Sequence, residues 1–569
     1  MDAPTPFSHL LNTNHSASDE EKSSIRALIA KPLERLASLN AEIDHLENLL
    51  SSLKEERRAV QSFVDAHCAL ISSFRRTPDE ILSEIFSYCL PNDRTATRDV
   101  SEVPLVLGQI CRRWKRVSLS TPLLWTSIHV VIPTKGDTDR ICSLLESRRR
   151  GVEEWLARSG ELPLVVSLYC NLFHEELDVW RNGDPPEQVT SMIGTIVRRF
   201  TRWKKVQFHV SAMAFNLIQT CMGTEWKSSD LRFLQAFEIY ATECFYEKHT
   251  AFLSKILGAP CMSSVGFLNV KCLVEDLSFT NLSYLYFYGS QSWDNSEQTC
   301  LQILSQCPNL LSCALPSFRF SNSSSAALNP VFLPHLQKLS VRIDDAGYLH
   351  SMRDAHVIRG HPFFNFITAP SLQSLDVYFK FYARDGRMND IPFFSLIQPG
   401  HHIQKLDLSM RLSPTCLWKC LSLCPDLTEL NLVLNGGWEY QGVHDDTQSI
   451  ISHLIAIPKQ SPDGSLASPL CRSLRKLYIR IPEIDPTVRD ESLMDLARSR
   501  RPGNENNVAG LEKLTISIHG RRKQVNGLGN FLNGLRSEGM DVAFSFEETE
   551  DDDPALGHPE KYWKDTPWF

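Results

Sequence analysis

Phe74-Arg75-Arg76-Thr77-Pro78-Asp79-Glu80-Ile81-Leu82-Ser83-Glu84-Ile85-Phe86 is the stretch from which the rest of the chain is read. Thr77 offers an N-cap, and Pro78 suits the first helical position, where its missing N–H costs nothing. Glu80 is placed to reach back and complete a capping box. Ile81, Leu82, Ile85, Phe86, Cys89 and Leu90 then fall on one helical face, and Pro91-Asn92-Asp93 ends it. A second helix repeats the logic with Leu107, Ile110, Cys111, Trp114 and Val117. Thr121-Pro122 starts a short third turn carrying Leu124 and Trp125, and Ile128 to Ile132 reads as a strand. Residues 73–132 are therefore expected to form three short helices closed by a strand.

The order Pro78-x-Glu80-Ile81-Leu82, then Cys111-Arg112-Arg113-Trp114, then Pro122-x-Leu124-Trp125 resembles an F-box-like domain of the kind common in large fungal families. Arg75, Arg76, Ile85 and Phe86 match as well. One position departs: the family usually places Leu directly before the Pro, where this chain has Thr77. The change keeps the helix start and removes one apolar contact. The resemblance implies docking on the Skp-type adaptor of a cullin–RING ubiquitin ligase. Pro78, Ile81, Leu82, Ile85, Phe86 and Trp114 are the implied adaptor-binding residues. Read without the resemblance, the same stretch is a small helical core with no partner.

Composition bounds the alternatives. The 569 residues are ordinary for a globular chain of several domains, 42% hydrophobic and 22% charged. A net charge of −8, from 67 acidic against 59 basic residues, argues against a nucleic-acid binder working through its overall field. No run approaches the roughly 18 apolar residues needed to cross a bilayer. Met1 to Glu21 lacks the basic start and apolar core of a signal peptide, so a cytoplasmic or nuclear protein is expected.

Residues 1–19 carry Pro, Ser, Asn and Thr and are expected to be disordered. From 20 to 72 the pattern is one long helix. Leu36, Leu39, Ile43, Leu46, Leu50, Leu53, Val60 and Val64 occupy heptad positions, with Arg57 the polar break. Residues 36–64 are thus a candidate for self-association, although a parallel homodimer would set Glu42 against Glu47 of the second copy. Leu49 also widens the apolar stripe beyond a two-stranded seam. Packing back on the chain, or holding another partner, remains open. Such a helix before the F-box-like unit is common in the family it resembles.

From about residue 160 to 546 a short strand pattern, L-x-x-L-x-[LIVF], recurs. It is clear at Leu336-Leu339-Val341, Leu372-Leu375-Val377, Ile403-Leu406-Leu408, Leu427-Leu430-Leu432, Leu474-Leu477-Ile479 and Leu511-Leu514-Ile516. Degenerate copies begin at Trp203, Leu234, Val265, Leu282 and Leu310. The pattern resembles the irregular leucine-rich repeats that follow many F-boxes, units that bury their faces only by stacking on one another. The fold class expected is α/β: a long helix, a three-helix F-box-like domain, then an irregular leucine-rich-repeat solenoid. Asp344 to Thr368, Asn435 to Leu470 and Pro482 to Asn507 read as surface loops. The tail, 547–569, opens on an acidic run and is expected to be solvated and mobile.

No catalytic constellation emerges: there is no phosphate loop, no G-x-S-x-G elbow and no H-E-x-x-H. The chain is therefore not expected to be an enzyme or to hold a cofactor. Cys416, Cys420 and Cys424 sit at helical spacing among leucines, downstream of His401 and His402. They read as small buried hydrophobes rather than zinc ligands. Arg148 to Arg150 and Arg498 to Arg501 read as solvated faces.

Binding is the remaining role. Alternation along the strands turns Lys338, Ser340, Arg342, Asp376, Lys405, Asp407, Glu429, Asn431, Lys476 and Arg480 outward, a mixed set that suits a protein partner. Tyr284, Tyr286 and Tyr288 would project from one strand, and Tyr378 and Tyr478 from two others. They are candidate target-binding anchors, or they pack across neighbouring strands. Two functions follow: a substrate-recognition subunit of a ubiquitin ligase, or a non-ligase interaction scaffold assembled through the long helix. Thr77 keeps the second open.

Overall fold

The Ser18 hydroxyl accepts the Glu21 N–H at 3.3 Å, while the Glu21 carboxylate accepts the Ser18 N–H at 2.7 Å. This capping box starts helix α1, Asp19–Ile71, which continues through Pro32 and buries none of its residues. The computed structural model describes residues 5–8, 10–11, 13–91, 94–133, 138–172, 185–241, 249–268, 279, 282–288, 297–318, 329–344, 362–380, 390–398, 400–410, 412–433, 445–455, 459–460, 466–467, 470–481, 490–501, 508–519, 528–537 and 539–547. The chain divides into two compact units, Met1–Glu84 and Ile85–Phe569. In the first, the Ser8 N–H meets the Thr5 carbonyl and the Leu10 N–H the Phe7 carbonyl. After α1 comes a 3-10 turn, Ser73–Arg76. Helix α2, Asp79–Tyr88, crosses the division between the units.

In the second unit the helix expected around Cys111 is two. Helix α3, Leu107–Ile110, stops at Cys111, whose backbone is extended (φ −160°, ψ 165°). Its sulfur accepts the Trp114 N–H at 3.4 Å and so caps helix α4, Arg112–Leu119. The apolar spacing is helical on both sides of the break, which is why sequence alone joined them. A 3-10 turn, Pro122–Trp125, follows, with the Trp125 indole N–H donating to the Ser118 carbonyl at 2.9 Å.

The strand that closes this stretch is β1 (Ser127–Val131). It pairs in parallel with β2 (Leu164–Cys170) and becomes the first strand of a fourteen-stranded sheet. Among the described residues every neighbour in this sheet is parallel and next in chain order along it. After β2 come β3 (Trp203–Val210), β4 (Ala236–Ala241), β5 (Ser264–Leu268), β6 (Tyr284–Tyr288) and β7 (Ser312–Ala314). Strands Lys338–Asp344, Ser374–Lys380, Lys405–Ser409, Glu429–Val433, Lys476–Ile481, Lys513–His519 and Asp541–Glu547 complete it. The sheet is open, and the fold is mixed α/β. β2 and the last strand carry the same alternation, Leu164, Val166, Leu168 and Cys170 in β2, but lie outside the repeats read from sequence.

One register runs through the sheet. Ile128, Val166, Val206, Phe237, Val265, Leu285, Cys313, Leu339, Leu375, Leu406, Leu430, Leu477, Leu514 and Val542 are successive partners, and all are buried. The first Leu of each clear repeat is buried beside this row, as at Leu336, Leu372, Leu427, Leu474 and Leu511. Helix α5, Thr138–Arg158, packs Trp155 edge-on against Trp125 at 4.8 Å between centroids.

Three expected surface loops carry packed structure in their described parts. Phe363 and Phe364 are fully buried in the turn Pro362–Phe366. Helix Asp445–Leu454 buries Ile450, Ile451 and Leu454, and helix Asp490–Ser499 buries Leu493 and Leu496. In both helices apolar residues at three- and four-residue spacing supply the inward face. Arg500 also leaves its expected solvated face. It is fully buried, and its guanidinium donates to the carbonyls of Leu454, Leu470 and Cys471 at 2.8, 2.8 and 3.1 Å. From residue 548 onward the acidic tail lies outside the described residues.

His129, in β1, is buried with its Nδ1 3.0 Å from the Ser167 hydroxyl. Burial, with the positive charge of Arg94, pushes its pKa down from 6.5 to about 4. The unfolded chain therefore binds a proton that the folded chain refuses. Stability from this residue is complete above about pH 6.5 and is lost as pH falls toward 4, by roughly 3 kcal/mol in total. Urea unfolding at neutral pH and near pH 4.5 should show His129→Gln losing less stability on acidification than the parent. Equal losses would mean that His129 does not carry the effect.

Candidate adaptor and target faces

Helix α2 divides its apolar residues between two faces. Leu82 and Phe86 are 0% and 1% exposed, whereas Ile81 and Ile85, one turn apart, are 52% and 36% exposed. Phe86 packs against the Trp114 ring at 4.9 Å between centroids, and Trp114 is half-buried. Of the residues implied for the adaptor, Ile81, Ile85 and exposed Pro78 remain available on the surface. Leu82 and Phe86 belong to the interior. Sequence analysis could not separate them, since all four satisfy the same helical spacing. Tyr88, Ile110, Leu119 and Leu123 are exposed apolar residues that it did not single out for a partner. Arg112, Lys115 and Arg116 are exposed on α4 beside them in sequence.

Thr77 ends the 3-10 turn. Its N–H meets the Phe74 carbonyl at 3.3 Å, and its hydroxyl donates to the Ser73 carbonyl at 3.4 Å. Helix α2 then begins at Asp79, with the Leu82 N–H donating to the Pro78 carbonyl.

The second face is the outward side of the sheet. Where Leu and Val alternate inward, the residues between them line up across the strands. One such row runs Gln207, Glu238, Gly266, Tyr286, Ala314, Ser340, Asp376, Asp407, Asn431, Tyr478 and Thr515. Its polar members bind one another: Gln207 donates to Glu238 at 2.6 Å, Ser340 to Asp376 at 2.7 Å, and Asn431 to Asp407 at 2.8 Å. In the adjoining row Glu429 is paired with Lys405 and lies 3.8 Å from Lys476.

The tyrosines differ among themselves. Tyr284 is 40% exposed, and Tyr286 is half-buried, with Gly266 and Ala314 as its register partners. Burial pushes the Tyr286 phenol pKa up, against a smaller opposing hydrogen-bond effect. Tyr288 ends β6, and its side chain lies outside the described residues. Tyr378 and Tyr478 are half-buried, each facing a cation: Arg342 is 5.6 Å from the Tyr378 ring and Lys513 5.9 Å from that of Tyr478. They therefore belong to a different, charged part of the face.

A third group was not foreseen. Tyr169 of β2, His209 of β3 and Tyr240 of β4 are register partners. Their rings lie 4.6 Å and then 6.1 Å apart, the second pair stacked. The row continues onto Leu268 of β5; Tyr169 and Tyr240 are half-buried, and His209 between them is buried. Their common outward position in period-two strands was the available signal; the unread β2 strand hid it.

Cys416, Cys420 and Cys424 are buried, and the hydrogen bond between Cys420 and Cys424, together with burial, pushes the Cys420 thiol well up. His402 is exposed, with Nδ1 2.6 Å from Asp426.

With this geometry in hand, comparison with known families is specific over a short region. A family model for F-box-like domains matches residues 75–130. The chain thus carries an F-box-like domain. No curated protein matches the chain.

The two faces of α2 make a direct expectation. Leu82→Ala should cost about 2 to 5 kcal/mol of stability, as truncation of a buried Leu does. Ile81→Ala, at an exposed position, should stay within about 1 kcal/mol. Denaturant titration of the two variants measures both, and comparable losses would contradict the division.

Proposed function

We propose that this protein is the substrate-recognition subunit of a cullin–RING ubiquitin ligase. The F-box-like domain binds the Skp-type adaptor, and the outward face of the sheet binds a target protein. The F-box-like domain at 75–130 carries the reading. The exposed Ile81 and Ile85 support a contact through α2, since exposed apolar side chains gain free energy from being covered. Exposed Arg112, Lys115 and Arg116 favour an adaptor surface that brings acidic groups. The chain contributes no chemistry of its own and needs no cofactor, because ubiquitin is transferred by other subunits. Such a role belongs in the cytoplasm or nucleus.

The in-register row of buried Leu and Val supports reading residues 160–546 as an irregular leucine-rich-repeat solenoid. On that reading the target meets the outward rows. Tyr169, Tyr240, Tyr284 and Tyr286, all at least partly exposed, supply anchors, and the charged part selects by complementarity. The scaffold reading draws support from α1, which buries none of its apolar residues and exposes Leu28 to Val64 along most of its length. Adaptor binding separates the two.

Ile85→Asp should abolish co-purification with the adaptor while leaving the melting temperature within a few degrees of the parent. A parent chain that does not bind the adaptor at micromolar concentration would refute the ligase reading. For the target face, a Tyr284→Ala, Tyr286→Ala variant should lose one partner in proximity labelling. Tyr286 is half-buried, so thermal unfolding must accompany it: a lowered melting temperature with an unchanged partner set would assign the tyrosines to packing.

A further inference from the structure

Helix α1 leaves an apolar stripe exposed along its whole length: Ile29, Leu36, Leu39, Ile43, Leu46, Leu50, Leu53, Val60 and Val64 are each 39% to 57% exposed. On a heptad frame Ile29, Leu36, Ile43, Leu50 and Val64 take one core position, and Ile25, Leu39, Leu46, Leu53 and Val60 the other. Two residues interrupt the stripe, Pro32 and Arg57. They stand at equal distances from the point between Asp44 and His45. We propose that α1 is covered by α1 of a second copy of this chain, running antiparallel, with Ile43 packed against Leu46 of the second copy at the centre.

The core selects this register. Moving outward, Leu39 meets Leu50, Leu36 meets Leu53, Ile29 meets Val60 and Ile25 meets Val64, each across the two copies and each repeated by symmetry. Arg57 meets Pro32, so the interruptions cover each other and no apolar position loses a partner. Sliding by one heptad breaks this. Arg57 then faces Leu39 or Ile25, and Pro32 faces Val64 or Leu50. A parallel pair fares worse: Arg57 would face Arg57 of the second copy, and Glu42 would lie beside Glu47. The parallel arrangement gains Glu21 beside Arg26, but Glu21 already accepts the Ser18 N–H in the capping box. A partner of different sequence would require no mirror relation between the interruptions.

The flanking positions agree. In the antiparallel pair Arg35 lies beside Glu56 of the second copy, twice by symmetry, and Leu28 lies beside Phe63, which is 65% exposed in the single chain. Flanking charges of opposite sign set the orientation of paired helices. Phe63 and Leu28 widen the stripe on the side where the antiparallel pair has a use for it.

Sedimentation velocity of the full chain tests the proposal. A dimer is expected in the micromolar range. Arg35→Glu and Glu56→Arg should each raise the dissociation constant about tenfold, and the two together should restore it. In a parallel pair Arg35 faces Asn40 and Glu56 faces Gln61, so the double variant would show no restoration. Circular dichroism checks that each variant keeps its helix, because a charge reversal on an exposed face should not unfold it. A monomer at the highest concentration reached, or a double variant no tighter than the singles, would overturn the proposal.

Discussion

A parallel strand hides every second side chain and needs a neighbour on each edge to satisfy its backbone. That constraint organises residues 127–547. The buried row from Ile128 to Val542 is one continuous contact, and each Leu or Val in it gains roughly 1.5 to 3 kcal/mol only while the strands beside it are in place. A one-residue slip would turn Leu406 outward and Lys405 and Asp407 into the core. The same alternation therefore fixes the core and the outward face together. Glu429 beside Lys405 and Lys476, or Asn431 on Asp407, are consequences of where the leucines must go.

The first rung of that row is Ile128, inside the F-box-like region. From Ile85 onward this region and the sheet form one compact unit, joined through β1 on β2 and Trp125 on Trp155. Sequence analysis set a boundary at residue 132 because the helical spacing of the F-box-like part ends there. Spacing reports which face of an element is apolar, not which neighbour covers it. For the proposed function the continuity matters: from Ile85 onward the F-box-like part and the outward face of the sheet belong to one compact unit.

The repeats were legible because each strand states its own inward residues, and Leu336, Leu372, Leu427, Leu474 and Leu511 all occupy equivalent places. What eluded sequence reading was either too short or lacked a local signal. β2 has the alternation but no L-x-x-L opening. Helices Asp445–Leu454 and Asp490–Ser499 follow Pro, Gly and Asp-rich stretches that read as loop. Arg500 stands in a basic run, and nothing in that run marks it from Arg498 or Arg501. Its burial is stable because three carbonyls that lie outside regular pairing accept its guanidinium N–H groups. Arg202 uses the same device, donating to the Leu162 carbonyl and to the Ser159 hydroxyl. In both places a planar cation with five donors reaches carbonyls at the end of a helix or in the loops beside it.

Thr77 shows how local geometry bears on the adaptor face. The residue family members most often place there is Leu, which would add an apolar contact beside Pro78. Here the position closes the turn Ser73–Arg76 through both its backbone N–H and its hydroxyl. A hydroxyl bond of this kind is worth about 1 kcal/mol, comparable with what a half-buried Leu would add by burial. The departure thus exchanges a contact available to a partner for one made within the turn. Ile81, Ile85 and Tyr88 are the apolar residues of α2 that stay exposed, and on the proposed function they are the part of the helix a partner would cover.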